Sequence, residues 1–142
     1  MVRVLDVAAY ILEKRGSMTT MKLQKLVYYS QAWSLVWDEE SLFPEEIQAW
    51  ANGPVVPALY AVHRGEYKID SIPDGKPHNL EPFQTETIDE VLGFYGDKTS
   101  QWLSDLTHME DPWQEARQGL APGERGENPI SHASMAEYYE SL

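Results

Sequence analysis

The stretch Ile47–Tyr60, IQAWANGPVVPALY, constrains the fold more than any other, because three backbone instructions follow one another in it without a gap. Ile47-Gln48-Ala49-Trp50-Ala51 is short, carries a β-branched and an aromatic residue and runs into a turn signal, which predicts a strand. Asn52-Gly53-Pro54 ends it: Gly53 can take φ values closed to other residues, Pro54 fixes φ and donates no hydrogen bond, and the Asn52 amide can satisfy local backbone. Val55-Val56 follow, and Pro57 suits the first turn of a helix from Pro57 to His63 that Gly65 closes. Trp50, Gly53, Pro54 and Pro57 therefore read as structural.

The rest of the chain is punctuated mostly as helices. Val4, Val7, Ala8 and Ile11 fall at i, i+3, i+4 and i+7, with Lys14-Arg15 where the helix dipole favours cations and Gly16 as the stop. Thr19 or Thr20 can cap a second helix, MKLQKLVYYSQAWSLVWDEE, whose second half is apolar almost all round. That pattern predicts a central helix surrounded by the others, with Lys22 and Lys25 in solvent near its start. Tyr67–Ile72 alternates like an edge strand and is expected to pair with Ile47–Ala51, and the proline-bearing residues 73–83 read as an irregular loop.

Thr85 or Thr87 is expected to cap a helix carrying Ile88, Val91, Leu92 and Tyr95, and Thr99 or Ser100 the next one. Asp111-Pro112-Trp113-Gln114 then reads as a helix start with Asp111 as N-cap, Pro112 in the first position and Gln114 reaching back. Residues 119–129 hold three Gly and two Pro and read as a mobile surface loop, after which Ser131 or Ser134 caps a last helix. The expectation is an α+β, predominantly helical fold. It is a single domain over residues 1–142 with six or seven helices and a small β-hairpin or two-stranded sheet.

Composition narrows the function classes. There is no Cys, so disulfides, thiol catalysis and thiolate metal sites are excluded. Arg3, Asp6 and Glu13 interrupt the apolar N-terminal segment, which is neither a secretory signal nor a membrane span, and a soluble cytoplasmic protein is expected. The formal charge is −12, with net −2 over residues 1–71 and net −10 over residues 72–142. Such a field repels nucleic acid and anionic lipid and speeds encounter with a basic protein partner.

Of the four His, only His108 sits among other acid–base groups, in the run from Asp105 to Asp111. One His with neighbouring acids establishes neither a metal site nor a catalytic centre, and nucleophile, zinc and phosphate motifs are absent, so no catalytic residue, metal or cofactor is assigned. Thr107, His108 and Asp111 read as capping or hydrogen-bonding groups at the joint between two helices, which Pro112 helps to fix. The segment Val7–Trp33 allows a second reading as a helix-turn-helix DNA-binding regulator with Lys22 and Lys25 near the start of the recognition helix. Its apolar stripe and the negative field argue against that reading. Five Trp and eight Tyr are more than a core of this size demands, and an aromatic patch beside an acidic rim suits protein binding.

Three motifs in order, Lys22–Trp37 (KLQKLVYYSQAWSLVW), Leu42–Tyr60 with its AW-x2-GPVVP turn, and Leu103–Ala116 (LSDLTHMEDPWQEA), resemble the Panacea domain of SocA-like antitoxins, a family that includes phage-associated GepA-like proteins. The resemblance implies a bacterial or prophage toxin–antitoxin role in which the domain binds and neutralises a cognate toxin encoded by an adjacent gene. One member of that family delivers its toxin to a protease, which adds a bacterial AAA+ protease to the implied partners. A homodimer is compatible with the sequence. The contact residues expected are Asn52, Tyr60, His108 and Trp113.

Overall fold

The computed structural model describes all 142 residues. In chain order its elements are α1 (Val4–Arg15), β1 (Met18–Thr19), α2 (Thr20–Trp37), β2 (Gln48–Trp50), β3 (Gly53–Val55), α3 (Pro57–His63), β4 (Lys68–Ile69), a 3-10 turn (Pro77–Asn79), α4 (Pro82–Tyr95), α5 (Ser100–Met109), α6 (Asp111–Ala116) and α7 (His132–Glu140). The fold is α+β and predominantly helical, with seven α-helices and two two-stranded antiparallel sheets. No helix is long and apolar enough to cross a membrane.

Helix α2 is the axis. Thr19 caps it, its hydroxyl accepting the Lys22 amide at 3.1 Å. Leu23, Leu26, Val27, Tyr28, Tyr29 and Ala32 are all buried, and α1, α4, α5 and α7 pack around them, as the all-round apolar pattern requires. Lys25 departs from expectation: it is fully buried, because the hairpin and α5 close over the face of α2 that the helical wheel left polar. Lys22 is half-buried.

A polar knot ties α2 to the last helix. The buried Glu110 carboxylate accepts the hydroxyls of Tyr29 and Tyr139, each at 2.7 Å on the same oxygen, and the Tyr28 and Tyr139 hydroxyls lie 3.0 Å apart. Tyr29 also stacks on Tyr95, centroids 4.1 Å apart. Burial raises the pKa of Glu110, and the two tyrosine bonds oppose the shift only in part.

Strand pairing corrects the sequence reading. β2 pairs with β3 across a tight turn, so Gly53 and Pro54 lie inside a strand rather than after one. β4 is only Lys68–Ile69 and pairs with β1, not with the strand at residues 47–51. Pro54 is tolerated because its partner is Ala49, whose amide points away to the Asn128 carbonyl at 2.8 Å. No ladder bond is asked of the proline at that pair.

Helix starts also shift. α4 begins at Pro82 rather than after Thr85 or Thr87: Glu81 is the cap, and the Gln84 side chain accepts its amide at 2.8 Å. For α6 the cap is Glu110, not Asp111, and Pro112 takes the second helical position. The Gln114 side chain donates to the His108 carbonyl at 2.8 Å instead of closing a capping box. Ser131, of the two candidates, caps α7.

Candidate functional site around the β2–β3 turn

Two buried glutamines of α2 hold the hairpin in place. Gln31 accepts the Leu42 amide at 2.7 Å and donates to the Phe43 carbonyl at 2.8 Å, pinning the chain where it approaches β2. Two turns earlier, Gln24 accepts the Val56 amide at 2.9 Å and pairs with His63 Nε2 at 2.9 Å, pinning the chain where β3 gives way to α3. They lie seven residues apart on one face of α2, and both are fully buried polar groups, which burial obliges to find hydrogen-bond partners.

The turn itself rests on Lys25. Gly53 adopts φ +121°, and a Cβ there would lie 2.6 Å from Lys25 Cε and 3.2 Å from Thr107 Oγ1. Glycine is therefore required twice, by dihedral and by contact. Gly53→Ala is expected to cost on the order of 2–4 kcal/mol, read as a lower urea midpoint.

Only two buried side-chain polar atoms lack a hydrogen-bond partner, Lys25 Nζ and His108 Nε2. Burial lowers the Lys25 pKa to about 7. Burial also lowers the pKa values of His63 and His108, and the Lys25 charge pushes both the same way. The hairpin thus lies over a patch of basic groups whose charges burial suppresses.

Asn52 is exposed at the tip and lines two cavities. The larger, about 700 Å³, also has Trp50, Tyr60, Arg64 and Arg125 in its wall. The smaller, about 370 Å³, has Tyr67, Ser104 and His108. Trp50 and Tyr60 meet edge to face, centroids 5.0 Å apart, and the Trp50 carbonyl accepts Trp113 Nε1 at 2.8 Å. The Trp113 ring lies 4.2 Å from that of His108, and the buried Arg117 covers Trp113 at 5.1 Å while donating to the Ala49 carbonyl at 2.9 Å.

Asn52, Tyr60, His108 and Trp113 thus gather round one turn, with Asn52 exposed and the others half-buried. Trp50, Pro54, Pro57 and Thr107 build the scaffold under them, while Asp111 is exposed on the first turn of α6 and Pro112 is buried behind it. Gln24, Gln31 and Arg117 are the scaffold residues that sequence reasoning missed. The sequence reading left Lys22 and Lys25 exposed; the structure removes Lys25 from the surface altogether.

The family model described as antitoxin SocA-like, Panacea domain, matches residues 23–114. The chain belongs to this family. No curated protein and no solved structure matches it. The Panacea match runs from the start of α2 to the middle of α6 and includes the hairpin, the glutamine clasps, Lys25 and the His108 joint. Helix α1 and the whole segment from Glu115 onward lie outside it, although Tyr139 of α7 completes the knot on Glu110.

Proposed function

We propose that this chain is an antitoxin that neutralises a cognate toxin, encoded by an adjacent gene, through direct protein–protein contact made by the face around the β2–β3 turn. The observation that carries the reading is the gathering of Asn52, Tyr60, His108 and Trp113 at one turn of a domain whose family is described as antitoxins. A stable complex buries typically ~800 Å² per partner, so the contact would have to extend from Trp113 across the turn to α3. The chain acts in the cytoplasm as a binding protein rather than an enzyme, and handover of the toxin to a AAA+ protease would follow the same contact. The alternative, DNA regulation through Lys22 and Lys25, loses its main support because Lys25 is buried.

Co-expression is the test. The chain is expected to restore growth to cells producing the protein encoded beside it and to co-purify with that protein; a neighbour that is harmless alone sinks the reading. Tyr60→Glu and Asn52→Arg are each expected to abolish rescue while the thermal midpoint stays within a few degrees of wild type. Rescue lost only in variants that unfold would count against this face.

A further inference from the structure

The opposite flank of α5 carries a second surface. Gln101, Ser104 and His108 face the cavity at the hairpin, whereas Trp102 and Leu106, one turn apart, face a groove of about 490 Å³ between α2, α4 and α5. Its lining is apolar apart from Glu90 and Glu110. Trp37, Phe94, Trp102 and Leu142 are 48%, 62%, 41% and 70% exposed, so large apolar side chains are left in water together around this groove.

The edge of this groove is acidic. Along the outer face of α4, exposed Phe83, Glu86, Glu90 and Phe94 follow at spacings of three, four and four, so two carboxylates sit one turn apart between two aromatic rings. Neither Glu86 nor Glu90 takes part in an ion pair. Phe83 and Glu86 line an adjoining depression that shares Trp37 and Glu90 with the groove and adds Asp38 and Asp89. The one cation beside the groove, Lys98, is engaged over the Trp102 ring at 4.8 Å.

We infer that this groove receives a basic amphipathic helix of the toxin, its apolar side chains seated between Trp37, Phe94 and Trp102 and its Lys or Arg residues paired with Glu86 and Glu90. The inference rests on the antitoxin reading and adds to it the site and chemistry of an anchor. Charge complementarity selects the occupant. A second copy of this chain, itself at −12, would bring acid against acid. A helix fits where a strand does not, because the walls are helices with no free sheet edge and the acids repeat at one helical turn. A partner seated here and at the hairpin would straddle α5.

The test uses the whole chain, with Trp fluorescence as readout and two synthetic helical peptides about 18 residues long as probes, one of Leu and Lys, the other of Leu and Glu with the same apolar face. The Lys peptide is expected to bind and perturb the emission, and the Glu peptide to leave it unchanged. Phe94→Glu and Glu86→Lys/Glu90→Lys alter exposed side chains and are expected to leave the melting curve in place. Each is expected to weaken the Lys peptide at least tenfold, the second also flattening its salt dependence. Binding that survives both substitutions, equal binding of the two peptides, or a dimer of the chain that Phe94→Glu dissociates would overturn the inference. Growth rescue by the same variants separates the two ideas. If wild type rescues and the groove variants rescue equally, the groove is not the anchor and the antitoxin reading stands; if wild type fails to rescue, that reading falls by itself.

Discussion

Tyr139→Ala is expected to destabilise the protein by about 3–5 kcal/mol, the usual cost of deleting a fully buried aromatic side chain. Tyr139 is 1% exposed, and its ring meets those of Tyr28, Tyr29 and Trp33 within 6.2 Å. Its hydroxyl also serves Glu110 and Tyr28, so truncation leaves a buried carboxylate with Tyr29 as its remaining partner. Tyr139→Phe isolates that polar share and is expected to cost about 1–3 kcal/mol. Urea unfolding measures both. The residue lies beyond the Panacea match, so a chain cut after α6 is expected to lose most of its cooperative transition even though every family motif is present.

The same knot sets a pH dependence. The Glu110 pKa is raised above 4.5 in the folded chain, so folded Glu110 keeps its proton where the unfolded chain has released it. The contribution is therefore fullest below about pH 4.5 and declines as pH rises from there through the folded value. Glu110→Gln is expected to flatten this part of the stability profile.

Lys25→Met is expected to stabilise the protein on the order of 3–5 kcal/mol at pH 7, against the usual direction for a core substitution. Lys25 is 0% exposed, its nitrogen has no partner, and burial brings its pKa from 10.5 to about 7. The titratable groups facing it are His63 on α3 and His108 on α5, both held towards the neutral form by burial, so no anion compensates the lysine. Between pH 7 and 10.5 the unfolded chain binds the Lys25 proton and the folded chain does not, so wild-type stability rises with pH across that window. Below pH 7 both states are charged and the dependence on this group ends. The methionine variant is expected to lose the rise, and its advantage is expected to shrink towards pH 10.5. Denaturant titrations at pH 7 and pH 10 measure both effects, and equal stability of the two proteins at pH 7 would show that burial does not depress the Lys25 pKa as described.

How far the sequence foretold this depends on the kind of signal. α1, α2 and α5 were legible because periodicity, Thr19, Thr99 and Gly16 all agree, and α3 because Pro57 can only begin it. The partner of β2 was not legible, since a three-residue strand pairs wherever the chain can turn back, and Gly53 at φ +121° lets it turn at once. The start of α4 was misplaced because Pro82 and the Glu81–Gln84 pair form a cap without Ser or Thr.

At the site, proline, glycine and tryptophan marked the turn. Lys25 was misread because a helical wheel shows where a lysine points and not what later segments lay over it. Gln24 and Gln31 carry no local signal of burial, and only the backbone they hold gives them meaning. The acids of the groove edge lie along α4, but the aromatic wall they border comes from α2, α4 and α5 together, so no local stretch announced the groove.

Inhibition measured with purified components tests the central claim most directly. The protein encoded beside this chain would be assayed for its toxic activity with increasing amounts of the chain, in the absence of any protease, while complex formation is followed by size-exclusion chromatography. Direct neutralisation predicts that activity falls in step with complex formed, and that Tyr60→Glu and Asn52→Arg lose both together. Full toxic activity in the presence of saturating chain would contradict it.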